Sequence, residues 1–238
     1  MNAPTARIEP LGDQALIIEF GQRVDADVNR RVCALALRIR AAGLGGVTDV
    51  VPSFTAVGVH YQADAVAGRD PGELPHATLV RQLQPLLAEA DDAAAVDFGD
   101  VVDIPVRYGG DWGPDLEEAA TLCRMTADEL IALHQQAEPL RVYMIGFAPG
   151  APYIGQLDER LSLPRRATPR TQVPAGTVAI ANRQSVIYPF TAPGGWNLIG
   201  RTPLRLFDPA RDPPGLLVPG TRVRFRAIDA AEFERLSR

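Results

Sequence analysis

The side chains able to do covalent or metal chemistry are few in this sequence and poorly spaced for it. His60, His76 and His134 share no i, i+2 or i, i+4 relation, so no HxH or HExxH metal pair forms. His60 alternates with Val57 and Val59 in a strand-like run and His134 falls on a helical one; both read as hydrogen-bonded structural histidines, with His134 also kept as a candidate ligand contact. None of Ser53, Ser162, Ser185 and Ser237 sits in a GxSxG elbow, which argues against a serine hydrolase. Cys33 and Cys123 lie about 90 residues apart and read as small buried hydrophobes rather than a metal or redox pair. Gly43-Leu44-Gly45-Gly46 follows a helix, not a strand, and is a helix stop rather than a dinucleotide fingerprint.

What remains is one dense region built from Gly146 to Tyr153, Ala167-Thr168-Pro169-Arg170, Val173-Pro174-Ala175-Gly176, Tyr188-Pro189-Phe190 and Pro193-Gly194-Gly195-Trp196. Successive rigid turns fix side chains in place, which suits a binding rim; a barrel that needs corners explains the same pattern, and both readings stand. Thr168, Arg170, Gln184, Ser185, Tyr188, Asn197 and Arg201 lie among these turns. A guanidinium such as that of Arg170 or Arg201 can take a carboxylate in bidentate fashion, and an amide such as Gln184 can read another amide. With Tyr153, Tyr188 and His134, these form the candidate substrate-binding set. No catalytic residue and no metal site stands out.

The elements that must position this region fall into two halves. Residues 1–100 carry 8 Arg against 14 acids and 6 Pro; residues 101–238 carry 16 Arg against 15 acids and 15 Pro. A boundary near residues 91–99 follows, giving domains 1–95 and 96–238. Residues 6–10 and 15–20 flank a Gly12-Asp13 turn and read as a hairpin. The stripe Val28, Val32, Leu35, Ile39, Ala42 makes residues 25–42 a helix, with Asp25 at its start and Gly43 past its end. Strands at 47–51 and 55–61 and a helix at 77–90, which Pro85 should kink or delay, complete a β-β-α-β-β-α order. With a last strand near 94–98 this is a ferredoxin-like sandwich. In the second half, 101–108 is a strand, and 114–123 and 127–136 are helices, the latter opened by a Thr126/Glu129 capping box. Short strands at 141–147, 177–181, 185–190, 204–207 and 222–228, among 9 Gly and 12 Pro in residues 146–220, indicate a closed or nearly closed barrel.

Composition narrows the function classes. All 24 basic residues are Arg, so a Walker A lysine and Schiff-base chemistry are excluded for this chain alone. A net charge of -5 with scattered Arg argues against nucleic acid, and no apolar run approaches the roughly 20 residues of a membrane span. A cytoplasmic protein is the expectation.

The sequence resembles the KipI/PxpB family, known as the B subunit of 5-oxoprolinase and as allophanate hydrolase subunit 1. The resemblance rests on Pro10-Leu11-Gly12-Asp13 with Glu19-Phe20-Gly21, on Ile104 to Gly110, on Gly113-Pro114-Asp115-Leu116, on Gly146 to Gly150, on the two Pro motifs at 167–176, and on Pro193 to Trp196 leading to Ile199 to Leu204. It implies an α+β protein of two domains: a ferredoxin-like sandwich, then a cyclophilin-like barrel. It further implies one subunit of an ATP-dependent enzyme that opens 5-oxo-L-proline to L-glutamate, inactive or nearly so alone. Phosphorylating the carbonyl oxygen of the lactam, a poor electrophile, before water attacks is the sensible use of ATP there. The implied partners are a C-type component, resembling allophanate hydrolase subunit 2, and an A-type component, resembling LamB/YcsF proteins; the position of ATP is left open. Relatives suggest two alternatives, a KipI-like inhibitor of a histidine kinase and a carboxyltransferase-type subunit for urea- or allophanate-like amides.

Two positions depart from the family pattern. Ala151 stands where an aromatic is usual, and Asn182-Arg183 where two glycines usually precede Gln184. Asn tolerates a positive φ but Arg suits it poorly, so a reshaped loop beside Gln184 is expected.

Overall fold

A computed structural model of the chain describes residues 6–90, 98–136 and 138–237. Backbone contacts divide it into two compact units, Met1–Asp97 and Phe98–Arg238.

The first unit opens on a hairpin, β1 (Arg7–Pro10) and β2 (Ala15–Glu19). Helix α1 (Ala26–Ala42) follows, and both of its ends are dictated by sequence. Asp25 accepts hydrogen bonds from the backbone N–H groups of Asp27 and Val28, and Gly43 closes the helix in the left-handed conformation at φ 57°. The buried face is wider than the five-residue stripe: Asn29, Cys33, Ala34 and Ala36 join Val32, Leu35 and Ile39, while Ala42 is exposed. Strands β3 (Val47–Pro52) and β4 (Ala56–Tyr61) and helix α2 (Pro75–Ala90) complete the unit. Helix α2 starts at Pro75, two residues before the expected start, and runs through Pro85.

The sheet order is β1-β2-β4-β3, antiparallel throughout, so the N-terminal strand β1 takes the edge beside β2. The strand expected near 94–98 lies outside the described residues except for Phe98, which is not in a strand. His60 is exposed on β4, and the expectation of a hydrogen-bonded structural histidine is corrected there.

The second unit begins with β5 (Val102–Tyr108), whose Ile104, Val106 and Tyr108 point into one core. Helices α3 (Leu116–Leu122) and α4 (Ala127–Gln135) come next, and both halves of the Thr126/Glu129 capping box form. Then follow β6 (Leu140–Ile145), β7 (Pro152–Gly155), β8 (Arg170–Val173), β9 (Thr177–Ala181), β10 (Gln184–Ile187), β11 (Ala192–Gly194), β12 (Asn197–Arg201), β13 (Arg222–Ala227) and α5 (Ala230–Leu236). Seven strands close a barrel in the order β10-β7-β6-β13-β5-β12-β9, and β8 and β11 form a separate ribbon. Only β5 and β13 pair in parallel within the barrel. Residues 204–207, expected as a strand, contribute a single bridge from Phe207 to Gly215.

Strand β9 shows how the unit is layered. Every residue of it is buried, with Val178 and Ile180 in the main barrel core and Ala179 and Ala181 in a second cluster with Val173, Val186, Tyr188, Trp196 and Leu198. A strand covered on both faces loses hydrophobic alternation, and its side chains still alternate between two cores. That second cluster floors the functional site.

Candidate functional site

An aromatic cleft of about 220 Å³ opens in the second unit. Tyr153 on β7, Tyr188 just past β10 and Trp196 just before β12 form its walls, the Tyr153 and Trp196 rings meeting edge to face at 5.9 Å. Phe147 and Phe190 stand on its rim, 79% and 42% exposed. Phe147 is held at φ 67°, a left-handed conformation that a bulky side chain rarely adopts, on a loop between Gly146 and Gly150. Gly194 lets the Tyr188 ring lie against the backbone, because a Cβ there would overlap its hydroxyl and force the ring to shift. Burial, then the neighbouring Tyr153, push the Tyr188 phenol up to about 12 against the opposing pull of Arg165 and Arg170, so it stays a hydrogen-bond donor at neutral pH.

Arginines border the cleft, and their commitments differ. Arg170 donates two hydrogen bonds to buried Asp115, Nη1 to Oδ2 at 2.9 Å and Nη2 to Oδ1 at 2.7 Å. Arg166 donates to Glu118 at 2.7 Å and to Asp115 Oδ1 at 3.2 Å. The backbone N–H of Leu198 completes the carboxylate's shell at 2.8 Å. Asp115 therefore ties the start of α3 to β8, to the 165–170 loop and to β12. Arg170, expected to take a substrate carboxylate, is instead held by this internal one, and its planar fork is occupied. Arg165 has no such partner among the described residues; its guanidinium lies over the Trp196 ring, 5.1 Å from the centroid.

The other expected site residues separate from the cleft. His134 is fully buried in the barrel core, where Nδ1 is hydrogen-bonded to the Tyr108 hydroxyl at 2.7 Å and Nε2 to Ser185 Oγ at 3.0 Å. Its ring packs on Phe225 at 4.1 Å, and burial drives its pKa down to about 3, so it is a neutral structural group and not a ligand contact. Gln184 heads the β9–β10 hairpin opposite Ala181, and Arg201 pairs in the barrel wall with Thr177 and Arg107; neither lines the cleft. The Asn182-Arg183 turn is not reshaped. Both residues adopt positive φ, 49° and 61°, the geometry of a two-residue hairpin turn. The Arg183 strain is offset by bonds to Leu157, whose carbonyl accepts from Arg183 Nε at 3.2 Å and whose N–H donates to the Arg183 carbonyl at 2.8 Å. Ala151, the other departure, is a buried part of the cleft lining.

Among the described residues, no group of three or more His, Cys, Asp or Glu is placed to hold a metal ion. No described helix is long and apolar enough to cross a membrane.

Comparison with known proteins places this architecture. The carboxyltransferase domain family, subdomains C and D, matches residues 6–217. The chain belongs to that family. Among carboxyltransferase-domain proteins, the B subunit of 5-oxoprolinase from Bacillus subtilis strain 168 is 40% identical over 229 residues, 95% of each chain. The solved structure of TTHA0988 superposes with a TM-score of 0.75 at 37% identity, covering 91% of this chain and 40% of that longer one. The Kluyveromyces lactis urea carboxylase shares the fold at a TM-score of 0.64 and 17% identity, over 97% of this chain and 22% of that one.

Sequence reasoning missed Asp115, Arg165 and Trp196 as site residues although each lies in or beside a motif that carries the family resemblance. No local signal singles out Arg165: that Arg166 and Arg170 pair with Asp115 and Glu118 is decided by contacts across 48 to 55 positions.

Proposed function

We propose that the chain is the B subunit of a multi-subunit, ATP-dependent 5-oxoprolinase, which converts 5-oxo-L-proline to L-glutamate, and that it is inactive or nearly so without its partners. The observation that carries this reading is the 40% identity to the B subunit of a known 5-oxoprolinase over 95% of both chains. A match that spans 95% of both chains covers the whole unit, and the aromatic cleft is a site of the right scale for a small ring. That cleft does not suit a nucleoside triphosphate: its volume of about 220 Å³ is small, and Arg165 alone is left to meet several phosphate charges. ATP handling is therefore assigned to partner subunits of the A and C kinds. The TTHA0988 chain, of which this one covers 40%, supports a reading in which the unit works beside further polypeptide.

The architecture that goes with this function is a ferredoxin-like sandwich in domain 1–95, with β1 filling an edge position, and a cyclophilin-like barrel in domain 96–238. The cytoplasm, where ATP is available, is the matching compartment.

The test is 5-oxoproline-dependent ADP release by this chain alone, by the partner subunits alone and by the mixture. Turnover confined to the mixture is expected. No turnover from an assembled complex overturns the reading in favour of a carboxyltransferase-type subunit or a KipI-like inhibitor of a histidine kinase.

A further inference from the structure

We propose that the aromatic cleft binds a small cyclic monocarboxylate, with Arg165 taking the carboxylate and the Tyr188 hydroxyl donating to a carbonyl on the ring; the choice of ring rests on the 5-oxoprolinase reading, whereas the anion-binding role of Arg165 stands without it.

Three observations converge. Asp115 and Glu118 neutralise Arg166 and Arg170, so the anion-binding capacity left at the cleft is that of Arg165. Stacking on Trp196 orients this guanidinium while leaving its N–H edge available, the arrangement in which Arg grips a carboxylate with two parallel bonds. Inside the cleft, Tyr188 is 8% exposed, and Gly194, bare of a side chain, abuts its hydroxyl. A protonated phenol at the floor and a cation at the wall, with apolar lining from Tyr153 and Trp196 beside them, ask for three features in one ligand. These are a ring small enough for a cleft of about 220 Å³, a carbonyl acceptor and a single negative charge. A dianion would leave one charge unanswered in a mostly apolar site.

The test titrates the 238-residue chain calorimetrically with 5-oxo-L-proline, its primary amide, L-proline and 2-pyrrolidinone, and repeats this for Arg165→Gln and Tyr188→Phe. Circular dichroism confirms that the variants fold; Arg165 is exposed, so its replacement leaves the core intact. Expected is 5-oxoproline binding that weakens about tenfold or more in Arg165→Gln, matching the loss of one charge-assisted bidentate contact. The primary amide should bind the native chain with the same deficit and lose nothing further in Arg165→Gln. Tyr188→Phe should weaken 5-oxoproline and leave L-proline, which lacks the ring carbonyl, unchanged. Binding of every carboxylate unaffected by Arg165→Gln, or no binding of any probe, overturns the proposal. Arg165-dependent binding of L-proline without binding of 5-oxoproline keeps the anion site and overturns the 5-oxoprolinase reading. Conversely, a mixture that turns over 5-oxoproline with KM and kcat untouched by Arg165→Gln keeps that reading and overturns the site.

Discussion

At the scale of single residues, chemistry and structure divide the polar groups differently from their types. His134 is the most reactive-looking side chain of the barrel, yet Tyr108, Ser185 and Phe225 enclose it and hold it neutral. Burial lowers its pKa from 6.5 to about 3, so the unfolded chain binds a proton that the folded chain refuses. Stability is therefore full above pH 6.5, declines as pH falls from there, and levels off near pH 3. The expected slope in urea titrations, where ordinary carboxylates remain ionised, steepens from about 0.7 kcal/mol per pH unit at pH 6.5 to about 1.3 at pH 5. His134→Gln should flatten it; an unchanged slope would show that another group is responsible.

Between elements, Asp115 is the joint. Its carboxylate leaves the N–H groups of its own helix unanswered and gathers donors from β8, the 165–170 loop and β12. Asp115→Asn keeps the shape and loses the charge, leaving Arg170 without an anionic partner and Arg166 with Glu118 alone. Because both guanidinium groups remain about 30% exposed, water softens the penalty. A loss of about 2 kcal/mol is expected in chemical denaturation, short of the roughly 3 to 5 of a fully buried broken pair. Arg170, released, should then compete for ligand carboxylate, and 5-oxoproline affinity should respond to Arg170→Gln in the Asp115→Asn background but not in the native one.

Taken as a whole molecule, the chain carries separate cores. Leu16, Leu35, Val57 and Leu79 belong to a cluster within the first unit, whereas the barrel core and the cluster beneath the cleft lie within the second. A fragment of residues 98–238 should consequently unfold cooperatively and keep Arg165-dependent ligand binding, read by calorimetry and by Trp196 fluorescence. A fragment that is molten, without a cooperative transition, would show that the first unit is needed to order the barrel.

Much of this was legible in the sequence because it is local. Asp25 and Gly43 bound a helix by their own backbone chemistry, Thr126 and Glu129 close a capping box, and the Pro and Gly spacing after residue 146 signals a barrel corner by corner. The missing lysines removed whole classes of chemistry before any fold was considered. What stayed hidden is nonlocal. The strand at 177–181 and the hairpin of 6–10 with 15–20 could be read locally, but not the two cores that cover β9 nor the edge place of β1 in the sheet, and β8 and β11 are too short or too rich in Pro and Gly to declare themselves. The choice among arginines is of the same kind. Arg165, Arg166 and Arg170 are equivalent in type and near in sequence, and only the fold, by bringing Asp115 across 55 positions to Arg170, decides which guanidinium is structure and which is left for a ligand.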